Sequence, residues 1–352
     1  MTYRVIQWAT GNVGSHSLRN IAARPRLELT GLYVYSAEKA GRDAGQICGI
    51  EPLGVTATSD LDEILALDAD CVAYNALGET RDPEQSLADI CQVLGSGKNV
   101  VSTAVSTHIY PIVLTDDTRD RLEAACREGD VSFHSTGINP GFGFDVLPIT
   151  LSSIAGRIDR IHVTELVNMS GYTSEAIVHG FIGMGLPPDI DAPLDLQREV
   201  FGTSYHASMQ LIADAMRVEL EDIRLERLKV PTGRDLELPW GRVTAGTTAA
   251  RRIRHEGVVG GAVRIVFDVV WRVSNEVAPE WPVGDARYEL DIEGNPSLRC
   301  RFDIGVESGR HISMVTALHA VNAIPYVCEG EPGVQTFLEL PLMGGGYFSP
   351  SE

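Results

Sequence analysis

The chain has 352 residues, 44% of them hydrophobic, and a formal net charge of −19. This length exceeds what one simple core holds and suits two domains. The acidic balance argues against a nucleic-acid partner, because binding to phosphate backbones depends on basic surfaces that release counterions.

The chain opens on a pattern of strand, glycine turn and helix, RVIQWATGNVGSHSLRNI. The apolar run VIQWA predicts a buried strand, and the apolar spacing after the turn predicts a helix. We expect the backbone N–H groups of Gly11, Asn12, Val13 and Gly14 to hold a dinucleotide pyrophosphate. Gly11 would let the backbone approach the phosphates, and Gly14 would let the helix lie close on the strand. Plain turn chemistry is the alternative, and the position at the start of a βαβ pattern argues against it.

A second strand, Leu27–Tyr35, leads into the segment that distinguishes NAD from NADP. NAD binders place a carboxylate just after this strand, whereas NADP binders need a small or basic residue for the 2′-phosphate. Here Ser36 takes that place and is followed by Lys39 and Arg42, although Glu38 is close. These residues predict NADP, with NAD as a possible cofactor. A solvated loop with ordinary charges is the alternative.

Strands alternate with helices over the first 150 residues. Strands are predicted over Asp70–Asn75, Asn99–Thr103 and Val131–Ser135, and helices over Pro83–Leu94, Asp116–Arg127 and a short segment capped by Ser59 or Asp60. This alternation is typical of a doubly wound parallel sheet of the Rossmann type. Asn75, Ala76 and Thr103 fall at the carboxyl edge of that sheet, where we expect them to line the ribose and nicotinamide.

The pattern changes to long β-rich segments between about residues 151 and 310. They are Arg160–Asn168, Ile223–Val230, Arg242–Ile253, Val263–Val273 and Arg287–Ile304, with helices predicted over Ser174–Gly183, Asp195–Val218 and Ser308–Ala323. This indicates a second α+β domain built on a mostly antiparallel sheet. The tail, about residues 310–352, is expected to pack on the first domain. An open antiparallel sheet would expose a face or an edge, which favours a homodimer.

A loop rich in Gly, Asn and Pro, STGINPGFGFD, closes the first domain directly after a strand. We expect Asn139 to offer its amide to the nicotinamide and Pro140 to belong to the same cofactor contact. Asp145 would cap or brace the helix that follows. A domain hinge is the alternative.

Four motifs resemble one family: ATGNVG, the strand NVVST, STGINPGFGFDVLP and the tail AVNAIP…PGVQTFLELP. They resemble the dihydrodipicolinate reductase-like oxidoreductases, most closely the branch of 2,4-diaminopentanoate dehydrogenase and related amine dehydrogenases. The resemblance implies a Rossmann domain, a substrate domain that also makes a dimer contact, and NADP(H) or NAD(H) as hydride carrier. It further implies a small-molecule substrate and chemistry at a C=N or C–N bond.

The resemblance also implies a glutamate shortly after the NVV strand, which holds ammonia or the amine. A carboxylate suits that place because the reacting nitrogen is cationic. The segment Ser102–Pro111 contains no Asp or Glu. Alternatives therefore stay open: an NADPH-dependent carbonyl or C=C reductase, a non-catalytic cofactor-binding sensor, and a methyltransferase that uses the glycine turn for another nucleotide.

Three residues are candidates for proton transfer. His108 and Tyr110 lie in the segment after the NVV strand, and such a pair can donate a proton to a developing alkoxide. An ordinary hydrogen-bonded loop histidine is the alternative for His108. Glu165 lies on a predicted strand with Asn168 three residues on, and an alternating strand directs only one of them into a cleft. Glu165 is then either a pocket carboxylate or a charge on the solvent face.

Glu175 and His179 share a face of a predicted helix rich in Gly, Phe and Met. Two such residues do not make a metal site, and we expect no metal here. The composition suggests a wall for an apolar substrate or a mobile flap.

The six cysteines are widely spread and form no C-x-x-C pair. They suggest free thiols in a reducing compartment. The sequence has no basic segment followed by a long apolar run at its start, and no run of membrane-spanning length, so we expect a cytoplasmic protein.

Overall fold

The structure is a computed structural model that describes residues 1–78, 82–196, 204–305 and 312–347. The chain forms two compact units. The first comprises Met1–Phe142 together with Ser313–Glu352, and the second comprises Gly143–Ile312.

The N-terminal part of the first unit alternates strands with helices. The strands are β1 (Tyr3–Trp8), β2 (Leu27–Tyr33), β3 (Ala57–Thr58), β4 (Cys71–Tyr74), β5 (Asn99–Ser102) and β6 (Ser132–Ser135). The helices are α1 (Asn12–Ala23), α2 (Ala44–Cys48), α3 (Leu61–Leu65), α4 (Pro83–Gly95) and α5 (Asp116–Gly129), with 3₁₀ turns at Ser106–Ile109 and Pro111–Val113.

The elements predicted here are present, with their ends shifted by up to two residues. The second strand ends at Tyr33 instead of Tyr35, so Tyr35 belongs to the following turn. Asp60 is the residue that caps α3, since its carboxylate accepts the N–H groups of Asp62 and Glu63. Helix α2 and strand β3 are short and were not predicted.

The second unit is built on one six-stranded sheet. Its strands are β7 (Arg157–Asn168), β8 (Asp222–Pro231), β11 (Thr248–Val259), β12 (Ala262–Arg272), β13 (Ala286–Asn295) and β14 (Leu298–Asp303), in the order β14-β13-β7-β12-β11-β8. A separate pair consists of β9 (Leu236–Leu238) and β10 (Gly241–Val243). All neighbours in the large sheet are antiparallel except β7 and β12, which run parallel.

Two predicted strands were wrong as single elements. The segment Arg242–Ile253 is divided, because the chain turns after β10 and Gly246 has a φ of +87° before β11 begins. The segment Arg287–Ile304 is a hairpin of β13 and β14 that turns at Asn295–Pro296.

The helical segments of this unit also differ from the prediction. The unit contains α6 (Val146–Ser152), α7 (Pro193–Leu196) and α8 (Ser204–Ala215), a 3₁₀ turn at Met169–Gly171 and a π-helical segment at Ala176–Phe181. The helix expected over Asp195–Val218 crosses residues 197–203, which lie outside the described residues. The helix expected over Ser174–Gly183 is mostly π-helical, a form that inserts an extra residue per turn.

The end of the chain returns to the first unit. Helix α9 covers Ile312–Glu329, and residues 308–311 of the predicted helix lie outside the described part. The short strand β15 (Gly333–Val334) pairs in parallel with β6. It completes a seven-stranded parallel sheet of order β15-β6-β5-β4-β1-β2-β3, and the predicted fold class is confirmed.

Candidate functional site

The glycine turn joins β1 to α1. Ala9 takes a positive φ of 69°, and Gly11 caps the helix with an extended backbone. A Cβ at Gly14 would lie 2.3 Å from the carbonyl oxygen of Ala9, so only glycine allows the helix to approach the strand this closely. A Cβ at Gly11 would meet nothing within 4 Å, so the turn is open on that side. Asn12, Val13 and Gly14 belong to the first helical turn, whose N–H groups have no intrahelical acceptor.

A chain of hydrogen bonds connects the carboxyl ends of three neighbouring strands. The amide of Gln7 in β1 donates to Asn75 Oδ1 at 2.9 Å and to the Ala9 carbonyl at 2.9 Å. The amide of Asn75 in turn donates to Thr103 Oγ1 at 2.9 Å. Gln7 is fully buried, and Asn75 and Ala76 are buried with 6% and 9% of their surface exposed. This network brings Asn75 and Thr103, two predicted cofactor residues, to one place beside the glycine turn.

Lys39 also lies at the glycine turn. Its ammonium group donates to the Thr10 side-chain oxygen at 2.9 Å and to the Thr10 carbonyl at 3.2 Å. The backbone N–H of Lys39 donates to the Ser36 carbonyl at 3.0 Å, so one tight turn carries both residues. Arg42 follows in the same segment and is exposed. The Lys39 ammonium group therefore lies at the glycine turn, and Ser36 begins the turn that carries Lys39.

The loop after β6 is held by its own backbone and by α9. The Thr136 N–H donates to the Ser102 carbonyl at 2.9 Å, and Thr136 Oγ1 is 2.8 Å from His319 Nδ1. Gly141 has a φ of +121°, and a Cβ there would lie 2.2 Å from the backbone nitrogen of Gly137. The peptide bond between Asn139 and Pro140 is cis. This loop is thus a closely packed part of the first unit.

His108 and Tyr110 lie in and just after the 3₁₀ turn that follows β5, and both are buried. Burial lowers the pKa of His108 to about 4, so its imidazole is neutral at physiological pH. His108 Nδ1 is buried and has no hydrogen-bond partner among the described residues. The ring packs edge-on against Phe133 with centroids 6.0 Å apart.

In the second unit, Glu165 lies on β7 between β12 and β13 and is only 5% exposed. The indole N–H of Trp271 donates to one carboxylate oxygen at 2.7 Å, and the Tyr288 hydroxyl donates to the other at 2.5 Å. The alternative of a charge on the solvent face is therefore wrong. Burial and then the nearby Glu165 charge raise the pKa of Tyr172 to about 12.

The other two predicted features of this unit have structural partners. Asp145 caps α6 as predicted: one oxygen accepts the Val146 N–H at 2.8 Å and the other accepts the Ser208 hydroxyl at 2.8 Å. His179 Nδ1 bonds the Met184 carbonyl at 2.7 Å, and its ring stacks on Trp240. Within the described ranges, no three His, Cys, Asp or Glu side chains come together as metal ligands.

Comparison with known proteins identifies the family. Residues 142–345 match the model of the 2,4-diaminopentanoate dehydrogenase C-terminal domain. An amine dehydrogenase of Streptomyces virginiae is 35% identical over 353 residues, which cover 96% of each chain. The chain belongs to the family of 2,4-diaminopentanoate and amine dehydrogenases.

More distant relatives agree with this assignment. A 2,4-diaminopentanoate dehydrogenase of Acetoanaerobium sticklandii is 24% identical over 245 residues, 69% of this chain and 67% of the relative. The solved structure of an amine dehydrogenase from Mycobacterium smegmatis has the same fold, with a TM-score of 0.77, 18% identity and coverage of 98% of this chain and 97% of that one.

Membership makes this chain an NAD(P)-dependent oxidoreductase that acts on a C–N centre of a small molecule. The part of the chain that the structure describes contains no helix long and apolar enough to cross a membrane.

Sequence reasoning missed the side chains that hold the candidates in place. Gln7, Trp271 and Tyr288 each bond a predicted residue from a distant part of the sequence. The only available signal was a polar or aromatic residue at an inward position of an otherwise apolar strand, as for Gln7 in VIQWA. That signal does not identify the partner.

Proposed function

We propose that the protein is an NADP-dependent amine dehydrogenase or imine reductase that acts on small to medium apolar substrates. The cofactor would lie along the carboxyl edge of the parallel sheet, with its pyrophosphate on Gly11, Asn12, Val13 and Gly14. Asn75, Ala76, Thr103, Asn139 and Pro140 would line its ribose and nicotinamide. The hydride belongs to the cofactor, whereas the chain supplies orientation and electrostatics.

The observation that carries the NADP assignment is Lys39. Its ammonium group donates hydrogen bonds to Thr10 in the glycine turn, and its backbone N–H donates to the Ser36 carbonyl. A cation and a hydroxyl at the end of β2 suit a 2′-phosphate, which is dianionic near neutral pH. Arg42 would add a second, more exposed charge.

The test is a fluorescence titration with NADPH and NADH. Wild-type protein should bind NADPH at least about tenfold more tightly, a difference of about 1.4 kcal/mol. Lys39→Ala should remove most of that preference, and its Kd for NADH should stay within about threefold of the wild-type value. Arg26→Ala is the matched control, since it removes an exposed cation at the opposite end of β2. Preference for NADH would overturn the 2′-phosphate assignment, and binding of neither nucleotide would overturn the cofactor site.

We propose that the second unit, about residues 151–310, binds substrate and forms the dimer contact. Support for an apolar substrate comes from Ile177 and Phe181 of the π-helical segment, which are partly exposed and pack on a core that includes Met184 and Trp240. Glu165 would bind or deprotonate the amine, and His108 and Tyr110 would assist proton transfer. Support for Glu165 is its buried position with both oxygens oriented by neutral donors.

Ammonium dependence tests the chemistry. Ketones and aldehydes should be reduced with NADPH only when ammonium is present. Reduction without ammonium would instead support a carbonyl or C=C reductase, an alternative favoured by the absence of any Asp or Glu in Ser102–Pro111.

A homodimer and a cytoplasmic location complete the proposal. The described sheet of the second unit ends in two edge strands, β8 and β14, and exposed edges favour association. All six cysteines are free, as expected in a reducing compartment. Light scattering of the purified protein at micromolar concentration would test the dimer, and a monomeric mass would contradict it.

A further inference from the structure

Aromatic rings gather at the carboxyl ends of β1, β2 and β4. Trp8 stacks on Tyr33 with centroids 4.1 Å apart and lies 5.3 Å from Tyr74. Tyr33 meets Tyr35 edge-on at 5.2 Å. Trp8 and Tyr74 are almost fully buried, whereas Tyr35 is 38% exposed. Tyr35 therefore connects the buried cluster to the surface, one residue before Ser36.

A buried carboxylate on α4 joins these rings. Asp89 is 5% exposed, and one of its oxygens accepts the hydroxyls of Tyr35 and Tyr74, each at 3.1 Å. Its other oxygen accepts the Gln85 amide at 2.8 Å, and the Tyr35 oxygen accepts the Trp8 indole N–H at 2.9 Å. Burying a carboxylate is unfavourable unless donors surround it, so this arrangement requires all of its hydrogen bonds.

The network does more than fill the core. Apolar side chains of similar volume often replace a buried polar group without loss of stability. Apolar side chains would not fix the Tyr35 hydroxyl, which donates to Asp89 and accepts the Trp8 indole N–H. Tyr35 leads directly into the turn that carries Ser36 and Lys39. Fixing Tyr35 therefore fixes the start of that turn.

We propose that Asp89 is a positioning residue for the cofactor: through the Tyr35 hydroxyl it holds the turn of Ser36 and Lys39 in the conformation that receives the 2′-phosphate. The inference rests on the proposed NADP function. Asp89 itself touches no cofactor and acts by pre-organisation, since a turn that is already ordered loses less freedom when the ligand binds.

The experiment compares two tyrosines that share one carboxylate oxygen. Tyr35→Phe should weaken NADPH binding about fivefold to thirtyfold, the range expected when one ordered segment becomes free. It should weaken NADH binding at least threefold less, because NADH lacks the phosphate that the turn receives. The KM for NADPH should rise while kcat at saturating NADPH stays within about twofold.

Tyr74→Phe is the matched control. It removes the other hydroxyl on Asp89, together with a long contact of 3.4 Å to the Tyr35 oxygen, and leaves the hydrogen bonds of Tyr35 to Asp89 and Trp8 in place. Its NADPH affinity should stay within about threefold of wild type even where its melting temperature falls. Asp89→Asn should weaken NADPH binding as much as Tyr35→Phe does. Where Asp89→Asn does not fold, the result for Tyr35→Phe alone decides whether Asp89 has a positioning role. Unchanged NADPH affinity in Tyr35→Phe, or an equal loss in Tyr74→Phe, would overturn the inference.

Failure of the proposed function is recognised separately. It would appear as wild-type protein that binds neither nucleotide or prefers NADH. In either case no 2′-phosphate is received by the turn, and the positioning role of Asp89 is overturned with it. Wild-type preference for NADPH combined with an inert Tyr35→Phe overturns the positioning role alone.

Discussion

Replacing Gly14 or Gly11 with alanine adds the same methyl group to two positions of one turn, and only the change at Gly14 is expected to lower stability substantially. At Gly14 the methyl carbon would lie 2.3 Å from the Ala9 carbonyl oxygen, and at Gly11 it would meet no atom within 4 Å. Gly11 has a φ of −72°, which alanine adopts without strain. The pair therefore separates the packing of the turn from its contact with the cofactor.

The expected size follows from the geometry at Gly14. Ordinary contact begins at 3.4 Å, so the helix must move away from the strand by about 1 Å. Overpacking costs about 1–3 kcal/mol, and a clash with backbone atoms such as this one lies in the upper part of that range, about 2–3 kcal/mol. The better helix propensity of alanine offsets about 1 kcal/mol. Gly14→Ala should thus lower the free energy of unfolding by about 1–2 kcal/mol and weaken NADPH binding, because the first-turn N–H groups move with the helix.

Gly11→Ala should change the free energy of unfolding by less than about 1 kcal/mol, the cost of losing glycine at a helix N-cap. It should weaken NADPH at least about tenfold, because the methyl group occupies the open side of the turn. Urea unfolding followed by circular dichroism and NADPH fluorescence titration measure the two effects. A Gly14→Ala variant as stable as wild type would refute the packing argument. A Gly11→Ala variant with normal NADPH affinity would refute the placement of the pyrophosphate.

Three further predictions concern buried titratable side chains. Glu165→Gln should lower kcat/KM at least about a hundredfold. Glu175→Gln, which removes an exposed carboxylate nearby in sequence, should leave kcat/KM unchanged. Equal effects of the two variants in steady-state assays would count against a role of Glu165. Burial lowers the pKa of His134 to about 4, so the unfolded chain binds its proton first and stability falls as the pH drops from 6.5 towards 4. His134→Asn should reduce that slope by up to about 1.4 kcal/mol per pH unit in urea unfolding, and an unchanged slope would contradict the assignment. Asp195→Asn should lower the free energy of unfolding by about 3–5 kcal/mol, because the Asp195 side chain is 2% exposed and bonds a buried arginine. In the control Asp191→Asn, whose side chain is 66% exposed, the same urea measurement should show a loss of less than about 0.5 kcal/mol.

Local patterns explain what the sequence predicted well. The glycine turn and the alternation of strands and helices in the first unit depend on residues within a few positions of one another. Asp60 and Asp145 cap helices through N–H groups that lie one to three residues away. Such contacts are encoded in short segments and are therefore visible in the sequence.

The errors arise where the signal is weak or distant. The hairpin of β13 and β14 reads as one strand because apolar alternation continues through both arms, and its turn at Asn295–Pro296 is short. The burial of Glu165 depends on Trp271 and Tyr288, which lie 106 and 123 residues further along the chain. No local pattern distinguishes a strand carboxylate that faces such partners from one that faces water.

The distribution of charge suggests how this family member differs from the pattern its motifs imply. In the first unit, the groups that join the carboxyl ends of β1, β4 and β5 are neutral: the amides of Gln7 and Asn75 and the Thr103 hydroxyl. His108, in the turn after β5, is neutral as well. Neutral donors and acceptors of this kind do not attract a cationic nitrogen. In the second unit, Trp271 and Tyr288 orient both oxygens of Glu165 and add no positive charge. The segment after β5 has no carboxylate that could attract a protonated amine, whereas the second unit has the buried carboxylate of Glu165. Measuring the reaction rate of Glu165→Gln against ammonium concentration tests whether Glu165 binds the amine. A rate that no longer saturates with ammonium, at unchanged NADPH affinity, would show that it does. Saturation like that of wild type would exclude this role.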